Sequence, residues 1–394
     1  MKKFKPPIRK QFNQAELDQV HKVFKLYDKL KIDFSNKGHF DQEYCRNFAK
    51  FVQSRKKGFA ATACSGTAAI FVALQSLELP IHSEVLTSPI TDPGMISPII
   101  LLSLKPKVFD HAPNKPYVTL KEIQERYSKK VKACIINHYS GIPSPEIELI
   151  SRWLKKKNVY LIEDCSQSHG AVVNKRKVGD FGDLACFSTM FSKGHSTGGT
   201  GGVLYTNFLK LFKKSALYLD RGKPIYSKKF SQKNPKTFLV PALNLRSNEI
   251  LSAIGLLTLE KVPEVNKKRI DFLRTFNQKL ILKKLPLSLY PYNGSEAPYF
   301  AIIQLDKKWS LSKKLRFGQL LQKKGIQINS HYEYVATEWP WLKDFLTDSF
   351  NPINALNYRN QSMNLLFNEN FTNQHAEAIA NLLSLSLHEM KRHS

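Results

Sequence analysis

Short apolar runs of strand length alternate with longer amphipathic stretches over residues 1–255. That alternation specifies a mostly parallel sheet whose strands are joined by crossover helices. The strands read as residues 85–87, 108–110, 133–137, 159–162, 184–187 and 202–206, and the helices as 14–30, 65–77, 95–103 and 144–157. Pro98 must fall in the first turn of the third helix, because proline supplies no N–H to a helix interior. The fourth opens on Ser144-Pro145, a hydroxyl suited to the N-cap followed by proline at the first helical position. Residues 247–279 then read as largely helical, with a break or kink at Pro263, and lead out of this unit. Beyond them come a strand at 299–305, a helix at 310–324, a strand at 326–331 and a closing helix at 372–392. The pattern predicts an α/β fold: a large, mostly parallel sheet domain over residues 1–255 and a smaller α+β C-terminal domain over residues 256–394.

One stretch of this pattern carries chemistry. The run ending at Ile162 delivers Glu163-Asp164, the run 184–187 ends in Ser188, and Lys193 follows in a polar, glycine-rich segment. Open α/β sheets bind ligands just outside the carboxyl ends of their strands. A carboxylate, a hydroxyl and a lysine on neighbouring strand ends match the needs of pyridoxal phosphate (PLP), which takes a lysine for covalent attachment and an acid facing its ring nitrogen. Each residue alone suits an ordinary charged loop; their joint order and spacing point to the cofactor. A desolvated site beside a cationic cofactor would lower the pKa of Lys193 and free its amine to react. The same amine could then move a proton at the substrate carbon. Lys175 and Lys177, in a hydrophilic turn, compete with Lys193, and Glu163 competes with Asp164, because alternation turns one acid away. A second signal lies upstream in ACSGTAAI, residues 63–70, a turn of small residues opening an apolar helix. N–H groups at a helix start bind phosphate; Gly66 permits close approach and Thr67 adds a hydroxyl. The same turn also serves as a plain helix cap.

At 394 residues the chain is long enough for two domains. No apolar run approaches the ~20 residues a membrane helix needs. The basic residues 1–10 are not followed by an apolar signal core. These features predict a cytoplasmic protein without a membrane span. Cys45, Cys64, Cys134, Cys165 and Cys186 are odd in number, widely spaced and without a CxxC pair, which argues against a disulfide framework and a metal site. Cys134 and Cys186 lie in apolar runs, as small core residues do. The net charge of +28 is the unusual feature. Its lysines and arginines are scattered, and no nucleic-acid motif accompanies them. A solvated basic surface that draws in a phosphate-bearing substrate is therefore favoured over a nucleic-acid or membrane partner.

The central segment resembles the DegT/DnrJ/StrS family of PLP-dependent sugar aminotransferases. Glu163-Asp164, Gln167 and Gly170-Ala171 match its "EDxAQxxGA" block, Gly182-Asp183 and Phe187-Ser188 its "GDxxxFSF" block, and Lys193 stands five residues after the serine, as in the family. Gly201-Gly202 closes a "GEGG"-like run, and residues 242–255, ALNLRSNEILSAIG, resemble "GxNxRMxxxxAAxG". The resemblance implies PLP fold type I, like aspartate aminotransferase, with Asp164 rather than Glu163 as the functional acid. It implies Gln167 beside the cofactor ring, and Gly66, Thr67 and Ser188 at its phosphate. It further implies Asn244 reaching the phosphate of the neighbouring subunit's cofactor in a homodimer with shared sites, although Asn244 also suits a loop before a helix. The implied reaction moves an amino group, with glutamate as donor, to a keto-sugar, expected to be nucleotide-linked, in surface-polysaccharide or amino-sugar synthesis.

The chain departs from the family at three places. In SPITDPGM, residues 88–95, Asp92 stands where an aromatic ring usually stacks on the cofactor, and it could hydrogen-bond a substrate or cofactor group instead. Thr200 replaces the acid of "GEGG", and Gly194-His195 replaces the usual "Asn-Leu" after the lysine. A subgroup with histidine in place of the lysine dehydrates sugars; Lys193 favours transamination, and His195 lies two residues off register. Arg246, His331 and Tyr332 are polar candidates for the substrate side of the cleft, Arg246 fitting a diphosphate or a surface or dimer salt bridge equally. The alternatives to an aminotransferase are a PLP-dependent sugar dehydratase and a non-catalytic binding protein on the same fold with a basic surface.

Overall fold

A computed structural model of the chain describes residues 3–9, 12–34, 38–54, 56–227 and 229–392. Its large sheet has seven strands: β1 (Phe59–Ala63), β2 (Glu84–Thr87), β3 (Lys105–Val108), β4 (Val131–Asn137), β5 (Tyr160–Asp164), β8 (Leu184–Ser188) and β9 (Gly202–Thr206), in the order β1-β9-β8-β5-β4-β2-β3. A small hairpin, β6 (Val172–Val173) and β7 (Arg176–Lys177), sits between β5 and β8. Strands β3, β2, β4, β5 and β8 pair in parallel; β9 alone runs against its neighbours β8 and β1. The inner strands are buried on both faces, as parallel sheets require, which is why they read as unbroken apolar runs.

Helices cover both faces. Helices α1 (Gln14–Leu30), α2 (His39–Val52), α5 (Leu120–Arg126), α6 (Ile147–Lys156) and α8 (Glu249–Glu260) bury residues such as Val23, Phe48, Ile123, Ile150 and Ala253 in one core. On the other face, α3 (Gly66–Ser76), α4 (Pro93–Leu101) and α7 (Leu209–Leu219) bury Ile70, Val72, Ile96 and Leu219. The chain then leaves through α9 (Val262–Leu282). Pro263 stands in the first turn of α9, so the expected break is the junction between α8 and α9.

A second, antiparallel sheet follows, with β10 (Leu287–Leu289), β11 (Phe300–Leu305), β12 (Ile328–Asn329) and β13 (Ser362–Leu366) in the order β10-β11-β13-β12. With α9, α10 (Leu311–Lys323) and α12 (Asn373–Arg392) it buries Phe276, Phe317, Leu321 and Ile379; α11 (Ile353–Asn360) leads into β13. Among the described residues no helix is long and apolar enough to cross a membrane.

Several boundaries differ from the sequence reading. Helix α4 begins at Pro93 because the Asp92 carboxylate caps it, accepting from the Gly94 N–H at 2.8 Å. Pro98 therefore lies inside the helix rather than in its first turn. The strand expected at 108–110 is β3 and ends at Val108, because Asp110 turns away to accept the N–H groups of Asn354 and Ala355 at the start of α11. The strand expected at 326–331 shortens to Ile328–Asn329. Helix α2 and strand β1 are additions to the elements read from the sequence.

Candidate active site

A cleft of about 400 Å³ opens at the carboxyl ends of β4, β5 and β8. It brings together Gly66, Thr67, Asp92, Asp164, Gln167, Ser188, Lys193 and Tyr332, all singled out in the sequence. Alternation on β5 separates its two acids. Glu163 is fully buried and points away: it accepts the N–H groups of Gly179, Phe181 and Gly182 at 2.6–2.8 Å, with His138 Nε2 at 3.2 Å. Asp164 faces the cleft and accepts the Ser166 N–H at 3.0 Å. Burial raises its pKa, while the Ser166 hydrogen bonds and the charges of Lys193 and His138 pull it down less strongly. A cation placed against Asp164 would favour its ionised form.

Ser65 caps α3, accepting from Ala68 N–H at 3.0 Å. The first turn of that helix lies against the end of β8: a Cβ on Gly66 would stand 2.8 Å from Ser188 Cβ and 3.4 Å from Ser166 Oγ. Gly202, at the start of β9, is likewise pressed against the Ser65 carbonyl, which a Cβ would approach to 2.3 Å. In the cleft the Gly66 backbone forms a cradle edged by the Thr67, Ser166 and Ser188 hydroxyls.

Lys193 extends over the Tyr299 ring, its Nζ 4.8 Å from the centroid, and Tyr299 and Ser192 hydroxyls meet at 3.0 Å. Lys177 instead reaches the Phe51 carbonyl, and Lys175 is exposed on the β6–β7 turn, so neither competing lysine enters the cleft. Gln167 Oε1 accepts the Ser140 N–H at 2.7 Å.

Sequence reasoning passed over the opposite wall. It holds Asn137, His138 and Tyr139 from the end of β4, with Tyr299, Phe300 and Tyr334. The first three had a signal, since they directly follow an apolar strand run. The others come from the second unit, joined to the first where Tyr299 N–H and Ala297 N–H donate to the carbonyls of Ser140 and Gly141. Gly141 sits at φ +78°, and a Cβ there would fall 1.8 Å from the Ala297 oxygen, so this seam requires glycine. Tyr332 and Tyr334 stack at 5.0 Å, and Tyr139 lies 5.5 Å from Tyr332. This side of the cleft is thus aromatic where Asp92 is not.

Three expected residues lie elsewhere. Arg246 pairs with Asp220 at 3.3 Å and borders a separate hollow beside β1 and α7. His331 borders a groove along β12, where burial first, then the charges of Arg359 and Lys314, lower its pKa. Asn244 is exposed, on a segment bridged to Asp220, and does not line this chain's own cleft. His195 is buried, with Tyr44 Oη at 2.5 Å from Nε2 and Thr258 Oγ1 at 3.2 Å from Nδ1; burial lowers its pKa to about 3. It is a neutral core residue away from the cleft. All five cysteines are free, and burial raises the Cys134, Cys165 and Cys186 thiols.

The profile of the DegT/DnrJ/EryC1/StrS aminotransferase family matches residues 18–384. The chain belongs to this family. Its members use pyridoxal phosphate. A GDP-perosamine synthase of Escherichia coli O157:H7 is 27% identical over 236 residues, 60% of this chain and 62% of that protein. Among solved structures, an aminotransferase from Psychrobacter cryohalolentis superposes with a TM-score of 0.84 at 23% identity, covering 98% of this chain and 99% of its own. The E. coli GDP-4-keto-6-deoxy-D-mannose-3-dehydratase, solved with bound hydrated PLP, gives 0.84 at 20% identity, covering 97% and 100%. Both likenesses fix the fold; because it serves amination and dehydration alike, the choice between them rests on the site.

Proposed function

We propose that the chain is a PLP-dependent aminotransferase that moves an amino group from an amino acid, glutamate in our reading, to a ring carbon of a nucleotide-linked keto-sugar. The buried Asp164 carboxylate, facing the same cleft as Lys193, which lies in the loop after the neighbouring strand, carries this reading. Asp164 would hold the positive charge of the cofactor's ring nitrogen, and Lys193 would attach the cofactor. The cradle of Gly66, Thr67 and Ser188 would take its phosphate, and Gln167 would sit beside its ring. When bound, the cofactor carries the amino group between substrates and takes up the electron pair left when the substrate C–H bond breaks. Lys193 would accept and return the proton at that carbon. Its place above the Tyr299 ring keeps the amine inside the cleft and shields it on one side from water.

The substrate would enter between Asp92 and the Tyr332–Tyr334 pair, whose stacked faces suit a sugar or base ring. Relatives include a GDP-perosamine synthase and, from Helicobacter pylori, a UDP-4-amino-4,6-dideoxy-N-acetyl-beta-L-altrosamine transaminase. Both names support a nucleotide-sugar substrate. We further propose a homodimer in which Asn244 of each chain completes the phosphate site of the other, its exposure being the supporting observation. The free thiols and a nucleotide-linked substrate suit a cytoplasmic setting.

The test is a panel of acceptors: nucleotide-linked keto-sugars, free keto-sugars and simple α-keto acids, each with glutamate. Preference for the first class is the expected result. A preference for simple keto acids would overturn the sugar assignment. Borohydride reduction followed by peptide mapping should place the cofactor on Lys193; attachment at Lys175 or Lys177 would overturn the site.

A further inference from the structure

Beyond its own turn, in which Lys193 N–H donates to the Met190 carbonyl at 2.9 Å and Phe191 N–H to that of Gly199 at 3.1 Å, the segment bearing Lys193 is open at two glycines. A Cβ added to Gly194 or Gly199 would meet nothing within 4 Å. Yet Lys193 must present its amine at one place. The structure supplies a brace from the far end of the chain. Arg9 donates through Nη2 to the Lys193 carbonyl at 2.8 Å and through Nη1 to the Phe191 carbonyl at 3.1 Å. Its Nε pairs with Glu369 at 2.8 Å. The other oxygen of Glu369 takes Nη2 of the buried Arg269 at 2.9 Å, and Arg269 Nη1 donates to the Pro298 carbonyl, next to Tyr299, at 2.9 Å. One carboxylate thus joins the residue bracing Lys193 to the residue holding the backbone just before Tyr299, whose ring lies beneath its amine.

The segment bearing Arg9 is itself fastened to the second unit. Phe4 N–H donates to the Lys324 carbonyl at 2.8 Å, and Asn368 and Asn370 donate to the carbonyls of Pro7 and Ile8 at 2.9 and 3.0 Å. Phe4 also packs against Phe371 and His375. We infer that Arg9 is a positioning residue: it fixes the backbone of Lys193 and, through Glu369, ties the lysine's place to that of the unit forming the opposite cleft wall. The planar fork matters, because one guanidinium must serve two carbonyls and a carboxylate at once.

This inference rests on the proposed role of Lys193, and the two are tested apart. If reduction and mapping of the wild-type enzyme do not place the cofactor on Lys193, the functional reading fails. If they do, Arg9→Met decides the inference. A misplaced reacting group costs on the order of 10²-fold. We therefore expect kcat to fall roughly ten- to a hundredfold, with KM for the amino donor nearly unchanged. The pH titration of the cofactor's absorbance band should also shift, since the lysine's surroundings change. Unchanged kcat and titration, or a lower thermal midpoint alone, would overturn the inference. Should Arg9→Met not fold, Arg9→Lys keeps the charge but not the fork and should show the same kcat and absorbance changes in milder form. A lysine variant matching wild type in both would overturn it equally.

Discussion

Two adjacent acids on β5 have opposite fates, and the difference is set by period-two alternation. Glu163 points inward and is held by three backbone N–H groups, whereas Asp164 opens on the cleft. Their substitutions should therefore separate function from stability. Asp164→Asn should retain the fold and bind PLP, but lower kcat by about 10²–10³-fold, the range seen when one group stabilising developing charge is removed. Glu163→Gln should instead destabilise the fold by ~1–3 kcal/mol, because an amide leaves some of those buried donors poorly satisfied. Urea unfolding and steady-state kinetics on both variants check this. Near-normal turnover in Asp164→Asn, or reversed roles, would contradict the assignment.

At the scale of elements, the cradle depends on the first turn of α3 meeting the end of β8 without a side chain between them. Gly66→Ala would push a Cβ to 2.8 Å from Ser188 Cβ and 3.1 Å from its Cα, so helix or strand must move. We expect cofactor affinity to weaken at least tenfold, measured by absorbance titration, with the overall fold retained; wild-type affinity would show that phosphate does not rest there. In the second unit, Lys314 of α10 is fully buried and donates to the carbonyls of Arg359 and Ser362 at 2.7 and 3.1 Å. Burial, reinforced by the Arg359 charge, lowers its pKa to about 7 from an ordinary 10.5. Between those values the unfolded chain binds more protons than the folded one, so this group makes stability rise with pH across that window. Lys314→Met should flatten the rise in urea midpoint between pH 7 and pH 9; an unaltered slope would refute the assignment. What was legible in the sequence follows the same physics. The inner strands declared themselves because burial on both faces demands continuous apolar runs. Strand β1, FAATA, did not, since small residues carry little strand signal. Helix α2 buries Phe40, Tyr44, Phe48 and Val52 at regular four-residue spacing, a readable stripe that was passed over. Lys193, Asp164 and the Gly66 turn were legible because strand ends and helix starts are local features. Arg9, Tyr299 and Tyr334 were not, because only tertiary contact brings them to the lysine and the cleft.

For the whole molecule, the scattered basic charge and the exposed Asn244 bear on how the site is fed and completed. A net charge of +28 should speed encounter with a polyanionic nucleotide sugar. Raising salt should then lower kcat/KM for that substrate and leave an uncharged keto-sugar unaffected, since screening shortens to ~8 Å near physiological ionic strength. Completion of the site is the sharper question. The run carrying Asn244 is fixed, with Cys64 N–H donating to the Leu245 carbonyl at 2.7 Å and Leu245 N–H to that of Leu219 at 2.9 Å. It therefore holds Asn244 outward from a firm base instead of on a loose loop. In a two-fold dimer each site would take Lys193 from one chain and Asn244 from the other. Lys193→Ala and Asn244→Ala chains should each be impaired alone. Mixed and allowed to exchange subunits, half the dimers become heterodimers, each with one site built wholly from wild-type groups. About a quarter of all sites should then work. Sedimentation gives the dimer, and activity of the mixture gives the sharing. Full activity of Asn244→Ala on its own, or no recovery on mixing despite proven exchange, would show that each chain completes its own site.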